Sequence, residues 1–287
     1  MPTITANGVR LYVEEHGDGD PILCIHGAGS TALMWTQALP ALARLGRVIA
    51  YDRRGCTRSE RPDRYLRTSV SEQAADAAAL LDSLAAAPAV VIGRSYGGTV
   101  AIDLALRYPG RVRALVLLEA DATGISPTGL EWTKAIADRL RAVAVEEGID
   151  AVYRTLIDEV AGERAWESFP EQIQRTLTEN GPALLAEIGF VDEQLPDASA
   201  LATIDKPTLL VAADESPGPQ REMTEALAGV LPDARLVRVP GGHLIDPAGP
   251  EVLSFVAAHA GVRRHVAEGA ARLGDGDAQR VAHGARW

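Results

Sequence analysis

The sequence predicts an α/β protein: a mostly parallel central sheet flanked by helices, with a helical cap inserted into it. Three observations carry that reading. Short β-branched runs alternate along the chain with longer, alanine-rich stretches of helical pattern. Most of the runs are apolar on both faces, as strands covered on both sides must be. The alternation then breaks between residues 123 and 202, where helical segments follow one another without a strand. Taken in order, Val9-Arg10-Leu11-Tyr12-Val13-Glu14 alternates like a half-exposed strand. A continuous apolar run follows at 22–25, and further strand-like runs at 48–51, 90–92, 114–118, 208–212 and 236–239. A helix is predicted over 68–86, with Ser69 or Ser71 as its cap. Another is predicted over 97–108, stopped by Pro109-Gly110. The inserted helices are predicted at 130–147, 149–160, 165–179 and 182–188. The core is therefore placed at 1–122 and 203–261, and the cap at 123–202. Residues 262–287, polar and sparse in apolar side chains, are read as a tail or a terminal helix.

Composition narrows the function classes. The 287 residues are 47% hydrophobic and 23% charged, the balance of a folded domain. With 28 basic against 39 acidic side chains the net charge is −11, which repels phosphate backbones and anionic lipid. Nucleic acid and membrane are accordingly excluded as expected partners, and a small molecule is the expected ligand. The first residues lack a basic segment followed by an apolar one, and no apolar run reaches the ~18 residues that span a bilayer. Two cysteines, Cys24 and Cys56, make no disulfide framework. These features predict a cytoplasmic protein. A homodimer through the segment from Val262 is an open expectation.

The chemistry is concentrated in three glycine-bearing loops, each at the end of a predicted strand. Gly93-Arg94-Ser95-Tyr96-Gly97 lies between the strand at 90–92 and a helix. That strand–turn–helix setting is what a nucleophile elbow requires. The sharp turn strains the serine backbone, and glycines two positions either side remove the clashes that side chains would cause. Ser95 is thus the candidate nucleophile. His26-Gly27-Ala28-Gly29 follows the strand at 22–25, where a loop amide can turn toward the nucleophile. The expected oxyanion hole is the N–H of Ala28 with that of Tyr96, and His26 is read as a brace for the loop. Gly241-Gly242-His243 follows the strand at 236–239. Of six histidines, only His243 lies late in the chain on such a loop, which makes it the candidate base.

These motifs, with Tyr51-Asp52-Arg53-Arg54-Gly55 before Ser59 and with Gly98 after the elbow, resemble the α/β-hydrolase superfamily in its compact bacterial esterase-like branch. They run in family order over residues 3 to about 260. Cys56-Thr57 departs from the pattern, which often has another glycine before the serine. The resemblance implies a serine–histidine–acid triad but leaves the acid open. The common pattern puts an aspartate a few residues beyond the strand at 208–212, and that place holds Ser216, which cannot balance an imidazolium. Asp214 is two residues early. A minority of the family, including some haloalkane dehalogenases and a group of lactone-cleaving hydrolases, takes a glutamate from the end of the preceding core strand. Here that residue is Glu119, in Leu117-Leu118-Glu119-Ala120-Asp121. Glu119 is the preferred acid, with Asp214 and then Asp121 as alternatives. Ser95 itself sets the chain apart from dehalogenases and epoxide hydrolases, which use aspartate as nucleophile.

The implied reaction is two-step acyl transfer from a small apolar ester or lactone, with no metal or organic cofactor. Neither a metal-ligand cluster nor a Gly-Lys-Ser/Thr phosphate loop occurs in the expected places. Trp35, Trp132, Tyr153, Trp166 and Phe190, with Phe169, are candidates to line the pocket. Rival readings use the same triad for C–C bond hydrolysis, thioester hydrolysis, lyase action or perhydrolysis, or leave a non-catalytic ligand-binding homologue. An aminopeptidase would need cap carboxylates, but Glu131, Glu146, Glu147 and Glu187 are read as solvated helix faces.

Overall fold

A computed structural model describes residues 3–162, 164–193 and 195–260, the side chains of Phe190 and Asp192 excepted. The tail from Val262 and the side chain of Phe190 thus lie outside the described residues. In chain order the elements are β1 (Thr3–Ala6), β2 (Val9–His16), β3 (Pro21–Ile25), α1 (Leu39–Leu42), β4 (Arg47–Tyr51), α2 (Val70–Ser83), β5 (Ala89–Arg94), α3 (Tyr96–Arg107) and β6 (Val112–Leu118). The helices α4 (Pro127–Glu146), α5 (Val152–Ala161), α6 (Glu171–Glu179), α7 (Gly181–Glu187) and α8 (Ala198–Leu201) then intervene before β7 (Thr208–Ala213), α9 (Gly218–Val230), β8 (Ala234–Val239) and α10 (Pro250–His259). The eight strands form one sheet in the order β1-β2-β4-β3-β5-β6-β7-β8. The β1–β2 and β2–β4 pairs are antiparallel, and all the others are parallel.

Side chains alternate across a strand, so a strand buried on both faces feeds two cores. Leu23, Ile25, Ile49, Tyr51, Val91, Leu115 and Leu117 join α2, α3, α9 and the inserted helices on one face. Ile22, Cys24, Val48, Ala50, Val90, Ile92, Val116 and Leu118 join α1 and α10 on the other. This double burial is why the strands read as unbroken apolar runs. Ser69 caps α2 by accepting a 3.0 Å hydrogen bond from the Glu72 amide. The sequence reading names no helix at α1, α8, α9 or α10, and two further features depart from it. β1 escapes a periodicity search because it is short, and only Ala6 of its four residues is fully buried. The helix expected over 165–179 is divided: Pro170 is extended, so a 3₁₀ turn at Trp166–Ser168 precedes α6.

The strand order places the site. From β3 the chain crosses to β4 on one side, and β5 then lies on the other side of β3. The loops leaving β3 and β5 therefore diverge at the carboxyl edge of the sheet, where open α/β sheets form their crevices.

Candidate active site

Ser95 sits between the last residue of β5 and the first of α3, with φ 50° and ψ −127°. A non-glycine residue held there costs about 1–3 kcal/mol. Close packing enforces the turn. A Cβ on Gly97 would lie 2.4 Å from the carbonyl oxygens of both Ile25 and His26, and one on Gly93 would lie 2.5 Å from the Gly97 oxygen. The Ser95 amide donates to the Leu118 carbonyl at 3.0 Å, fastening the elbow to β6.

Glu119 follows β6 directly and is also in the left-handed region, with φ 49°. It is completely buried. A buried carboxylate is costly unless donors surround it, and three do. Oε1 accepts from the Ala213 amide at 2.9 Å, Oε2 accepts from Ser216 Oγ at 2.8 Å, and Oε2 is 2.7 Å from His243 Nδ1. The Glu119 carbonyl is also bonded, to Gln220 Nε2 at 2.8 Å. With Nδ1 donating to the carboxylate, the Nε2 lone pair of His243 is left as the basic site of the ring. Ser216, in the place where the family pattern has an aspartate, is a donor to Glu119 instead. Asp214 is not brought to the histidine. It lies on an exposed edge 3.9 Å from Arg238, which removes the geometric basis for it as the alternative acid.

Asp121 enters the site from the same turn as Glu119. It accepts a long 3.4 Å hydrogen bond from Ser95 Oγ and lines a cavity with Ser95 and His243. Burial pushes its carboxyl up to about 6, against the pull of the nearby His243 ring. The raised value makes the folded chain bind the extra proton between the ordinary carboxylate range and pH ~6, so stability falls as pH rises through that window. Asp121→Asn is expected to stabilise the fold near neutral pH by up to roughly 3 kcal/mol, a gain that vanishes toward pH ~4. Urea unfolding of the two proteins across that range measures it. A constant difference at all pH values would show that Asp121 is not held protonated by its surroundings.

The cavity holds about 90 Å³. Its walls are Ile136, Leu156, Ile157, Val160, Leu177 and Leu184 from the inserted helices, with Ala28 and Met34 opposite. Trp132, Tyr153 and Phe169 line it. Two expected wall residues do not. Trp166 stands behind the wall, its ring 6.2 Å from those of Tyr153 and Phe169. Trp35 is buried in the opposite core, 5.7 Å below the Arg94 guanidinium, because the turn at Ala32–Trp35 directs it under the sheet edge. Ala28 lines the cavity and Tyr96 opens α3. Among the described residues no group of three or more His, Cys, Asp or Glu side chains is placed to hold a metal.

Glu187 corrects the sequence reading most sharply. Glu131, Glu146 and Glu147 are exposed, but Glu187 is completely buried, in an ion pair with the equally buried Arg53 at 2.8 Å. Residues 134 apart in sequence leave no local signal of such a pairing. Asn180 carries no sequence signal either, and it donates to the Ser30 carbonyl at 2.8 Å.

A family model described as the alpha/beta hydrolase fold matches residues 20–245. RutD of Azorhizobium caulinodans, named provisionally as a carbamate hydrolase, is 32% identical over 88% of this chain and 96% of its own. Among solved structures, a thermophilic esterase from Thermogutta terrifontis is 26% identical with a TM-score of 0.71, covering 90% of this chain and 95% of that one. Est816, described as an N-acyl homoserine lactone degrading enzyme, is 25% identical with a TM-score of 0.69, covering 90% and 99%.

Proposed function

Because this chain belongs to the α/β-hydrolase family and is a hydrolase, we propose that it cleaves a carboxylic ester or lactone of a small apolar substrate through a covalent acyl-enzyme on Ser95. The observation that carries the proposal is the 2.7 Å contact between His243 Nδ1 and the buried Glu119 carboxylate, beside a strained serine that faces the same cavity. Ser95 Oγ attacks the carbonyl carbon as His243 Nε2 takes its proton. The oxyanion is held by the N–H groups of Ala28 and Tyr96. His243 returns the proton to the departing alcohol, then takes one from water, whose oxygen releases the acid. In a lactone the departing alcohol stays tethered to the acyl group. Glu119 stabilises the imidazolium at each proton transfer.

The apolar lining supports an aliphatic or aromatic acyl group of modest size. The esterase and lactone-degrading neighbours support the bond type. A second reading is C–C bond hydrolysis with the same residues. The 2-hydroxymuconate semialdehyde hydrolase of a Pseudomonas strain, 35% identical over 52% of this chain and 47% of its own, favours it. No described helix is long and apolar enough to cross a membrane. Both cysteines are buried and free, which supports a reducing, cytoplasmic setting.

Initial rates on p-nitrophenyl acetate, p-nitrophenyl butyrate, small lactones and a dienol C–C substrate decide between the readings. The expected result is saturable turnover of the butyrate and of at least one lactone. Turnover of the dienol substrate with no ester or lactone activity would overturn the proposal in favour of the second reading.

A further inference from the structure

Resting on the reading of Ala28 as an oxyanion donor, we infer that Arg53, held by Glu187 of the inserted helices, is the positioning residue that aims the Ala28 N–H at the reacting carbonyl. One peptide plane links the two. The Gly27–Ala28 peptide is trans, and in a planar trans peptide the C=O and the N–H point in opposite directions. Whatever fixes the Gly27 oxygen therefore fixes the direction of the Ala28 N–H.

Three donors fix that oxygen. Arg53 Nη2 donates to it at 2.7 Å and the Ser30 amide at 3.2 Å. The third is His26 Nδ1 at 2.9 Å. Its role as a donor follows from the other ring nitrogen: His26 Nε2 accepts from the Arg53 amide at 2.9 Å, so the ring proton resides on Nδ1. Burial and the Arg53 charge hold His26 well below the ordinary histidine range, which keeps the ring neutral in that tautomer. Arg53 Nε also donates to the His26 carbonyl at 3.1 Å, so one guanidinium spans two successive carbonyls of the loop. A charged donor on the Gly27 oxygen polarises the peptide as well as aiming it, strengthening the N–H on its far side.

Glu187 completes the device from the other side. Both its oxygens pair with Arg53, at 2.8 and 2.9 Å, and Oε2 accepts from the Gly29 amide at 2.7 Å. Tyr153, from α5, donates its hydroxyl to the Ala28 carbonyl at 3.2 Å. The peptide units on either side of Ala28 are thus held by residues that depend on the inserted helices. An ion pair with both partners fully buried repays its desolvation poorly as a source of stability. Glu187 Oε1 also accepts from Gln73 Nε2 at 3.4 Å and from Cys56 Sγ at 3.6 Å, but the shorter bonds of the pair go to the His26 and Gly27 carbonyls and the Gly29 amide of the oxyanion loop, and a positioning role accounts for that convergence.

The test uses Arg53→Lys, which keeps the charge but loses the fork that spans Glu187 and both carbonyls. A double variant, Arg53→Met with Glu187→Met, leaves no buried charge unpaired and guards against misfolding of the single variant. Reactive sites are counted by stoichiometric titration with a fluorophosphonate, and kcat is expressed per titrated site. Rates on p-nitrophenyl butyrate are compared with those on its thiono analogue, whose C=S is a weak hydrogen-bond acceptor. The expected result is a 10–100-fold fall in kcat per site with KM within about twofold, and a fall of similar size in the ester-to-thionoester ratio. A purely structural role lowers the titre and leaves per-site kcat and the ratio unchanged, and that outcome in both variants would overturn the inference. A wild-type protein with no titratable serine and no ester preference would instead bring down the parent reading, and this one with it.

Discussion

Glu119→Gln is expected to lower kcat for ester hydrolysis by about 10⁴-fold, with KM changed little. The magnitude follows from the tautomer. With its oxygen on the Ala213 N–H, the glutamine amide presents its NH₂ to His243 Nδ1, so the ring is no longer held with its proton on Nδ1 and the imidazolium loses its counter-charge. The effect falls on the transition state, where that charge develops, and so appears in kcat. The fold is expected to survive, because the groups that now meet Oε1 and Oε2 of Glu119 keep partners. The amide oxygen of the substituted side chain can accept from the Ala213 N–H, and the Ser216 hydroxyl can turn to accept from its NH₂. Asp214→Asn, at its exposed place beside Arg238, is expected to stay within about twofold of wild type. Steady-state kinetics on p-nitrophenyl butyrate measure both. The reverse pattern would mean that the loop after β7 rearranges to supply the acid.

Ser95→Ala is expected to abolish the acyl-enzyme and reduce kcat by about 10⁴-fold or more. A residual rate above the uncatalysed one should come from the oxyanion donors alone. Stability should not suffer. The substitution removes one hydroxyl with a single long hydrogen bond to Asp121, and the strained backbone is kept by the Gly93 and Gly97 contacts. A burst of p-nitrophenol on mixing separates the two proteins directly, since only a chain with a nucleophile releases one equivalent before steady state. A burst that persists in Ser95→Ala would place the nucleophile elsewhere.

The parts of this site that are legible in the sequence are those imposed by local sterics. Gly93 and Gly97 are spaced by the clashes of one turn, so five consecutive residues announce Ser95. His243 announces itself by its glycines and its late position. Glu119 is harder. It is legible only through the family resemblance, which expects an acid at the place Ser216 holds or, in a minority, a glutamate ending the preceding core strand, and the two turn out to be hydrogen-bond partners. The rest depends on tertiary pairing. Nothing local distinguishes Glu187 from the exposed Glu146, and Arg53 shares a basic run with Arg54, which pairs instead with Asp76. Aromatic content is an equally weak guide to the pocket. Trp35 and Trp132 carry the same apolar signal, yet they lie in different layers because a strand edge divides them.

Catalysis in this reading turns on a relay from Glu119 through His243 to Ser95, and the rate and position of fluorophosphonate labelling test it most directly. Intact mass and peptide mapping of wild type, Ser95→Ala, Glu119→Gln and Asp214→Asn should give a single adduct, on Ser95. It should form fast in wild type and Asp214→Asn, slowly in Glu119→Gln, and not at all in Ser95→Ala. An adduct on another serine, or equal labelling rates for Glu119→Gln and wild type, would contradict the relay.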